Sequence, residues 1–428
     1  MRLFKHFANI LAIACVLAGC SAGSGGKHAD DDSITYYPPT PGKLEKSEFR
    51  SYYNQVKAFY DTVLLTHGFN GAFLVAKKGA VIFEAYNGYA NLQKKDSLNE
   101  HSAFHLASIS KTFTAMAVLY LAQSGKLSLD NDIRNYFPGL PYEGITVKML
   151  LSHRSGLPNY LYFMQKLGWD KKKYCTNQDV VNYLIRFHPD VTNSPGRHFT
   201  YCNTNFVLLA IIIEKISTLP YPQFMKHTFF GPLQMSDTYV FTLADTLTAM
   251  PSYTWKGIPE QLTFLDATYG DKNIYTTAQD LLKWDQALYT NQLFAPETLQ
   301  AAFTPYSNEK PGIRNYGYGW RMNIYPNGKK IVFHNGWWHG SNTVLMRLIE
   351  DSATVIVLGN KYNRTIYDAK KLANIFQPYF ETDQDEQFEK EGPVSSDTPN
   401  AASNIKKVLH KVPDPVRNKQ KKKSSSKR

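Results

Sequence analysis

Apolar residues recur at helical spacing over 49–65 (Tyr53, Val56, Phe59, Tyr60, Val63, Leu64), which predicts an amphipathic helix ending near Gly68. Two short β-prone runs follow at 73–76 and 81–85, and the Lys77-Lys78-Gly79 between them predicts a hairpin. The stretch 110–123 is strongly apolar (Phe113, Met116, Ala117, Leu119, Tyr120, Leu121) and Gly125 follows it, so it predicts a helix with a glycine stop. From about 130 to 300 the pattern is one of helical segments and long loops. Strands return at 320–324, 331–334, 343–349 and 354–358, with a Pro326-Asn327-Gly328 turn between the first two, and a last helix is expected over 366–376. This order predicts an α+β body: an antiparallel sheet assembled from both ends of the chain, flanked by helices, with an inserted helical subdomain.

Composition and charge narrow that reading. The chain has 428 residues, 43% hydrophobic and 14% aromatic, which excludes a wholly disordered or collagen-like protein. Its net charge of +12 sits at the ends: 405–428 hold ten Lys or Arg against Asp414 alone, and Arg2 and Lys5 add two, leaving 20–404 at +1. A nearly neutral body with a basic tail has no basic binding face, and nucleic acid is not an expected partner.

Residues 1–19 join a positive start to a short apolar stretch, and Leu17-Ala18-Gly19-Cys20 resembles a bacterial lipobox. This predicts a signal peptide cleaved before Cys20, lipidation of that thiol, and a lipoprotein anchored to a membrane of the cell envelope, facing the periplasm or the cell surface. Residues 20–48 read as a flexible tether, 49–380 as the folded domain and 381–428 as a disordered tail, first acidic and then basic. Cys175 and Cys202 remain in the body, and their pairing is open at this level.

Several common chemistries lack their residues. There is no Gly-x-x-x-x-Gly-Lys-Ser/Thr, no Gly-x-Gly-x-x-Gly after a strand and no His-Glu-x-x-His, and the only Gly-x-Ser-x-Gly straddles Cys20. His101 and His105 precede a strand-like run and are expected as surface or packed side chains. No metal or organic cofactor is expected.

Ser108-Ile109-Ser110-Lys111 stands at the head of the apolar helix. Its i to i+3 spacing places the Ser108 hydroxyl and the Lys111 amine on one face. A lysine in a half-buried helix start has its ammonium disfavoured by desolvation and by the positive dipole end, and can then accept the serine proton. Ser-x-x-Lys also begins at Ser24, Ser307, Ser403 and Ser424, but only Ser108 opens a long apolar helix. Tyr201-Cys202-Asn203 precedes an apolar helix at 206–216, and His334-Asn335-Gly336 is the only His-x-Gly in the chain. Taken singly these read as an N-cap serine, a hydrogen-bonding pair and a strand bulge.

In this order, and with Leu150-Leu151-Ser152-His153-Arg154-Ser155-Gly156-Leu157-Pro158 and Tyr316-Gly317-Tyr318-Gly319-Trp320 beside them, the motifs resemble those of the serine β-lactamase and penicillin-binding protein superfamily. The likeness is strongest to its class C, esterase and D-stereospecific peptidase branch. It implies a β-lactamase/transpeptidase-like fold with the site in the cleft between sheet and helical subdomain. It further implies Ser108 as the acylated nucleophile, Lys111 and Tyr201 as proton carriers, and Asn203 as the group that orients Lys111 and the substrate. The implied oxyanion hole is the backbone N–H of Ser108 and of Trp337, with Gly336 admitting the substrate backbone close to the strand.

Where β-lactamases commonly carry Lys-Thr-Gly this chain has His334, so a permanent cation is exchanged for a group expected to titrate near neutrality. The implied function is an envelope-anchored serine hydrolase acting through an acyl-enzyme on a small-molecule or peptide ester or amide: a D-amino-acid peptide, an ester or a β-lactam. The alternative in the same fold is a catalytically silent, penicillin-binding-like lipoprotein that binds cell-wall peptides.

Overall fold

The computed structural model describes Tyr36 and residues 38–381. The expected signal peptide, Cys20 and the acidic and basic tail lie outside the described residues.

Helix α1 (Lys46–Phe59) forms where the apolar spacing predicts it and runs on through a wider π turn, Tyr60–Leu64, and a tight 3₁₀ turn, Leu65–His67. Val56, Tyr60 and Leu64 are its buried stripe, and the Tyr60 ring stacks on Phe73 with centroids 5.8 Å apart. The folded body begins before residue 49, which corrects the expected boundary. Tyr36 is fully buried, and the Gly42 N–H donates to the Lys78 carbonyl at 2.8 Å. A tyrosine ring that finds a core slot gains roughly 2 kcal/mol from burial, enough to pin part of a segment that composition alone marks as tether.

The hairpin is β1 (Gly71–Lys77) and β2 (Ala80–Asn87). Five more strands follow near the C-terminus: β3 (Arg314–Tyr316), β4 (Arg321–Ile324), β5 (Lys330–Trp338), β6 (Ser341–Leu348) and β7 (Ala353–Gly359). Together they make one antiparallel sheet in the order β2-β1-β7-β6-β5-β4-β3. β1 lies against β7 with Gly71 opposite Gly359, so the two ends of the body meet inside the sheet. Strands β1, β6 and β7 are buried at every position, which is why they read as continuous apolar runs.

Helices cover both faces. On one lie α1 and the 3₁₀ helix Arg364–Ile375, which packs Ile366, Ala369, Leu372 and Ala373 inward. On the other lies α2 (Ser110–Gln123), buried at eleven positions and packed against the equally apolar α3 (Asn203–Ser217). The Tyr-Gly-Tyr-Gly-Trp stretch presses the β3–β4 connection onto α2. Gly319 sits at φ 78°, and a Cβ there would stand 2.3 Å from the Ala115 Cβ. A small antiparallel sheet of Phe104–His105, Ile274–Thr276 and Tyr239–Val240 leads the chain to the head of α2.

Candidate active site

Ser108 is delivered by a strained turn. Ala107 sits at φ 49°, a left-handed conformation that costs roughly 1 kcal/mol for a residue with a Cβ. The Ala107–Ile109 helical turn then feeds α2, leaving Ser108 half-buried. One turn on, Lys111 is fully buried, more enclosed than the half-buried position its sequence neighbours suggest. The reason is tertiary: its ammonium lies 5.0 Å from the Tyr201 ring centroid and 5.8 Å from that of Phe206. Lys111 Nζ is 3.1 Å from Ser108 Oγ and donates to the Asp271 carbonyl at 2.8 Å.

Tyr201 comes from the extended chain before α3, and Asn203 is the first residue of that helix, both nearly buried. The structure therefore brings Ser108, Lys111 and Tyr201 together from two elements. Asn203 sits at the same helix start, two residues from Tyr201.

His334 lies on β5 beside Tyr201, ring centroids 6.4 Å apart, and is fully buried. It does not titrate near neutrality. Burial, then the Arg321 and Lys111 charges, hold it well below the ordinary histidine value. Its Nδ1 faces the Asn335 carbonyl at 2.7 Å and its Nε2 the Tyr316 hydroxyl at 3.3 Å, so the neutral ring donates from Nδ1 and accepts at Nε2.

Gly336 meets a requirement inside the protein as well. A Cβ there would stand 2.2 Å from the Leu106 carbonyl and 2.2 Å from Thr343 Oγ1, so the missing side chain makes room for the protein's own Ser108 turn. Thr343 Oγ1 donates to that same Leu106 carbonyl at 2.8 Å, tying the turn to β6. Trp337 follows on β5, and its main chain lies on a stretch with one neighbour only. β4 pairs with Lys330 to Phe333 and goes no further, so 334–338 has a paired strand on the β6 side but none in the sheet on the other.

Five further residues shape the site. Arg321, the first residue of β4, holds its guanidinium 4.8 Å from the Tyr201 ring centroid. His153, within the Leu150 to Pro158 stretch, packs its ring 4.3 Å from that of Tyr201. Its Nδ1 accepts from the Cys202 N–H at 3.1 Å, and burial followed by the Lys111 charge keeps it neutral. Asp271 and Lys272 form a buried pair at 3.7 Å, with Tyr160 bridging them: its hydroxyl donates to Asp271 at 3.0 Å and accepts from Lys272 at 2.5 Å. Position next to a recognised motif was a usable signal for His153 and Arg321. Asp271 acts through a backbone carbonyl, which leaves none.

Cys175 and Cys202 are separate, buried free thiols, which settles the open pairing. Among the described residues no group of three or more His, Cys, Asp or Glu is placed to hold a metal ion. His105 donates from Nε2 to Asn273 at 2.9 Å, and His101 pairs with Asp237 at the surface.

The beta-lactamase family profile matches residues 56–377 of this chain. The chain belongs to the beta-lactamase family. Penicillin-binding protein 4* of Bacillus subtilis (strain 168) is 33% identical over 345 residues, a span of 76% of this chain and 76% of the relative. A penicillin binding protein from Bacillus halodurans shares the fold with a TM-score of 0.65 at 25% identity, over 73% of this chain and 97% of that one. D-amino acid amidase from Ochrobactrum anthropi SV3 shares the fold with a TM-score of 0.62 at 22% identity, over 77% of this chain and 97% of its own. This member of the beta-lactamase family is a serine hydrolase by kinship, of the superfamily that holds serine β-lactamases and penicillin-binding proteins.

Proposed function

We propose that Ser108 is the nucleophile of this hydrolase and is transiently acylated by an amide or ester substrate. The observation that carries the reading is the 3.1 Å approach of Lys111 Nζ to Ser108 Oγ at a point where the amine is shut off from solvent. In its deprotonated form the Lys111 amine takes the hydroxyl proton as Oγ bonds to the carbonyl carbon. The C–N or C–O bond then breaks, and the proton passes to the leaving group through Lys111 and Tyr201. Water attacks the acyl-enzyme along the same proton path, releasing the acid and restoring Ser108. The backbone N–H groups of Ser108 and Trp337 are the proposed oxyanion donors, each contributing about 3 kcal/mol. Asn203 is the proposed partner that orients Lys111 and the substrate amide.

The uncovered side of β5 suits an extended acyl chain lying beside the strand, and Arg321, where β4 stops, suits a carboxylate on it. These two features support a carboxylate-bearing acyl substrate, such as a peptide, ahead of a neutral ester. The relatives' descriptions as penicillin-binding protein and D-amino acid amidase agree with that class. The leader sequence supports anchoring to an envelope membrane through lipidated Cys20.

Intact-mass spectrometry after exposure to a fluorescent penicillin, and separately to a fluorophosphonate, tests the reading. A stoichiometric adduct that disappears in Ser108→Ala is expected. A folded protein that takes up neither probe would overturn it in favour of the silent peptide-binding lipoprotein.

A further inference from the structure

Successive side chains on β5 point to opposite faces, and the two tryptophans at its end divide accordingly. Trp337 packs outward, its ring 6.4 Å from that of Tyr362. Trp338 falls on the face of Gly336 and packs against the core that includes Leu106 and Ile109, on either side of the Ser108 turn. A Cβ on Gly336 would stand 3.1 Å from the Ala107 Cβ, so that turn meets the strand at Gly336. Trp338 lies two residues further along the same face, a step of about 7 Å. Arg321 pairs with Phe333 at the other end, so Arg321 and Trp338 bracket the uncovered stretch 334–338.

The Trp338 ring is fixed in place. Its indole Nε1 donates to Asp266 Oδ1 at 2.6 Å, and the Lys272 ammonium lies 4.8 Å from its ring centroid. Asp266 is buried, and its Oδ2 accepts from the Thr263 hydroxyl at 3.0 Å and from His339 Nε2 at 3.0 Å. His339 stands at φ 49°, a left-handed conformation unusual for a residue with a Cβ, so the chain is bent where Asp266 holds it. Pinned at its polar atom and seated on Lys272, the ring is nevertheless only half-buried and keeps apolar surface exposed. A rigid aromatic surface offers contact area at small entropic cost.

We propose that Trp338, positioned by Asp266, is a specificity-determining wall of the Ser108 cleft and takes a flat apolar group of the substrate, an aromatic ring foremost. A substrate lying beside 334–338 with its reacting carbonyl at Ser108 carries the neighbouring side chain to within one residue's reach of Trp338. Two aromatic rings meet there in offset or edge-to-face packing, a contact that a small aliphatic group does not make. The inference rests on the proposed hydrolase function and adds to it a preference for one class of side chain.

The test compares kcat/KM for two matched pairs of esters. p-Nitrophenyl acetate and phenylacetate differ in the acyl half, and acetyl lactate and acetyl phenyllactate in the alcohol half. The protein is expected to favour the aromatic member of at least one pair, which also tells which half of the substrate lies on Trp338. Trp338→Ala is expected to lower kcat/KM for that member about tenfold more than for its small counterpart. Should the alanine variant fail to fold by circular dichroism, Trp338→Leu keeps an apolar group over Lys272 without the ring and takes its place. Asp266→Ala is expected to raise KM for the aromatic ester more than it lowers kcat, and Asp266→Asn, which keeps an acceptor for the indole, to retain most of the preference. No preference in the unmodified protein, or the same preference in the folded Trp338 variant, overturns the proposal and leaves the hydrolase reading intact. So does a penicillin adduct on Ser108 without hydrolysis of any ester. Absence of both adduct and hydrolysis, or hydrolysis undiminished in Ser108→Ala, overturns the hydrolase reading and this proposal with it.

Discussion

The Tyr316 hydroxyl and His334 Nε2 face each other 3.3 Å apart in a pair that is almost wholly sealed from solvent. This contact explains why a histidine stands where a lysine is common in related motifs. The site already encloses Lys111, and Arg321 stands against Tyr201, so a neutral acceptor is what the space tolerates. His334→Lys would bury a third cation there at a cost of several kcal/mol. The expected outcome is a clear fall in Tm together with slower acylation, measured by thermal denaturation and probe labelling. His334→Gln keeps an acceptor for Tyr316 and is expected to retain most of both.

Stability should fall in mild acid. His105, His153 and His334 are buried, and burial is the first cause holding each below its ordinary value, His105 at about 4. In the unfolded chain they titrate near 6.5, so the unfolded state takes up protons first as the pH drops. Their contribution is complete above pH ~6.5 and is lost progressively below it, for His105 down to about pH 4. Urea midpoints at pH 7.5 and pH 5 are expected to differ markedly. His105→Gln, which keeps the donor to Asn273, should reduce that difference, and an unchanged pH dependence in this variant would remove His105 from the account.

The buried pair of Asp271 and Lys272 carries a sharper prediction. Lys272→Met strands the Asp271 carboxylate in the interior and is expected to cost ~3–5 kcal/mol. Asp271→Asn/Lys272→Met removes both charges and should regain much of that loss. Because the Asp271 carbonyl holds Lys111 at 2.8 Å, acylation should slow in the single variant by more than the loss of folded protein accounts for. Chemical denaturation beside labelling rates of the folded fraction checks both parts.

Thiol chemistry should be silent. Burial pushes the Cys175 thiol up to about 12 and the Cys202 thiol up to about 11, and Cys202 Sγ lies 3.3 Å from the Leu157 carbonyl. Labelling by Ellman's reagent is expected only after unfolding, and activity should be the same with or without reductant. Cys202→Ser, which preserves a donor to Leu157, should leave acylation within about threefold, the effect of under 1 kcal/mol. Activity that tracks reductant would contradict the burial of both sulfurs.

The sheet and α2 were legible in the sequence because their burial is continuous: β1, β6, β7 and α2 are long apolar runs with turn residues beside them. Ser108, Lys111, Tyr201, Asn203 and His334 were nameable because their residue types and order carry a pattern. What escaped depends on contacts between distant segments. The full enclosure of Lys111 comes from Tyr201 and Phe206, the room needed at Gly336 comes from Leu106 and Thr343, and the early start of the body comes from one ring, Tyr36. A local window also gives a histidine no environment, so His334 read as a titrating group until Arg321 and the sealed Tyr316 contact were in place.

The centre is stitched together by bonds that leap across the chain: Lys111 to the Asp271 carbonyl over 160 residues, and Thr343 to the Leu106 carbonyl over 237. Contacts of such separation form late, after loop closure has been overcome. A growing polypeptide that has made Ser108 and α2 therefore holds an ordinary alcohol. On the proposed chemistry, the hydroxyl gains its amine neighbour in working order only when these distant segments dock, so the onset of reactivity would mark the completion of the fold.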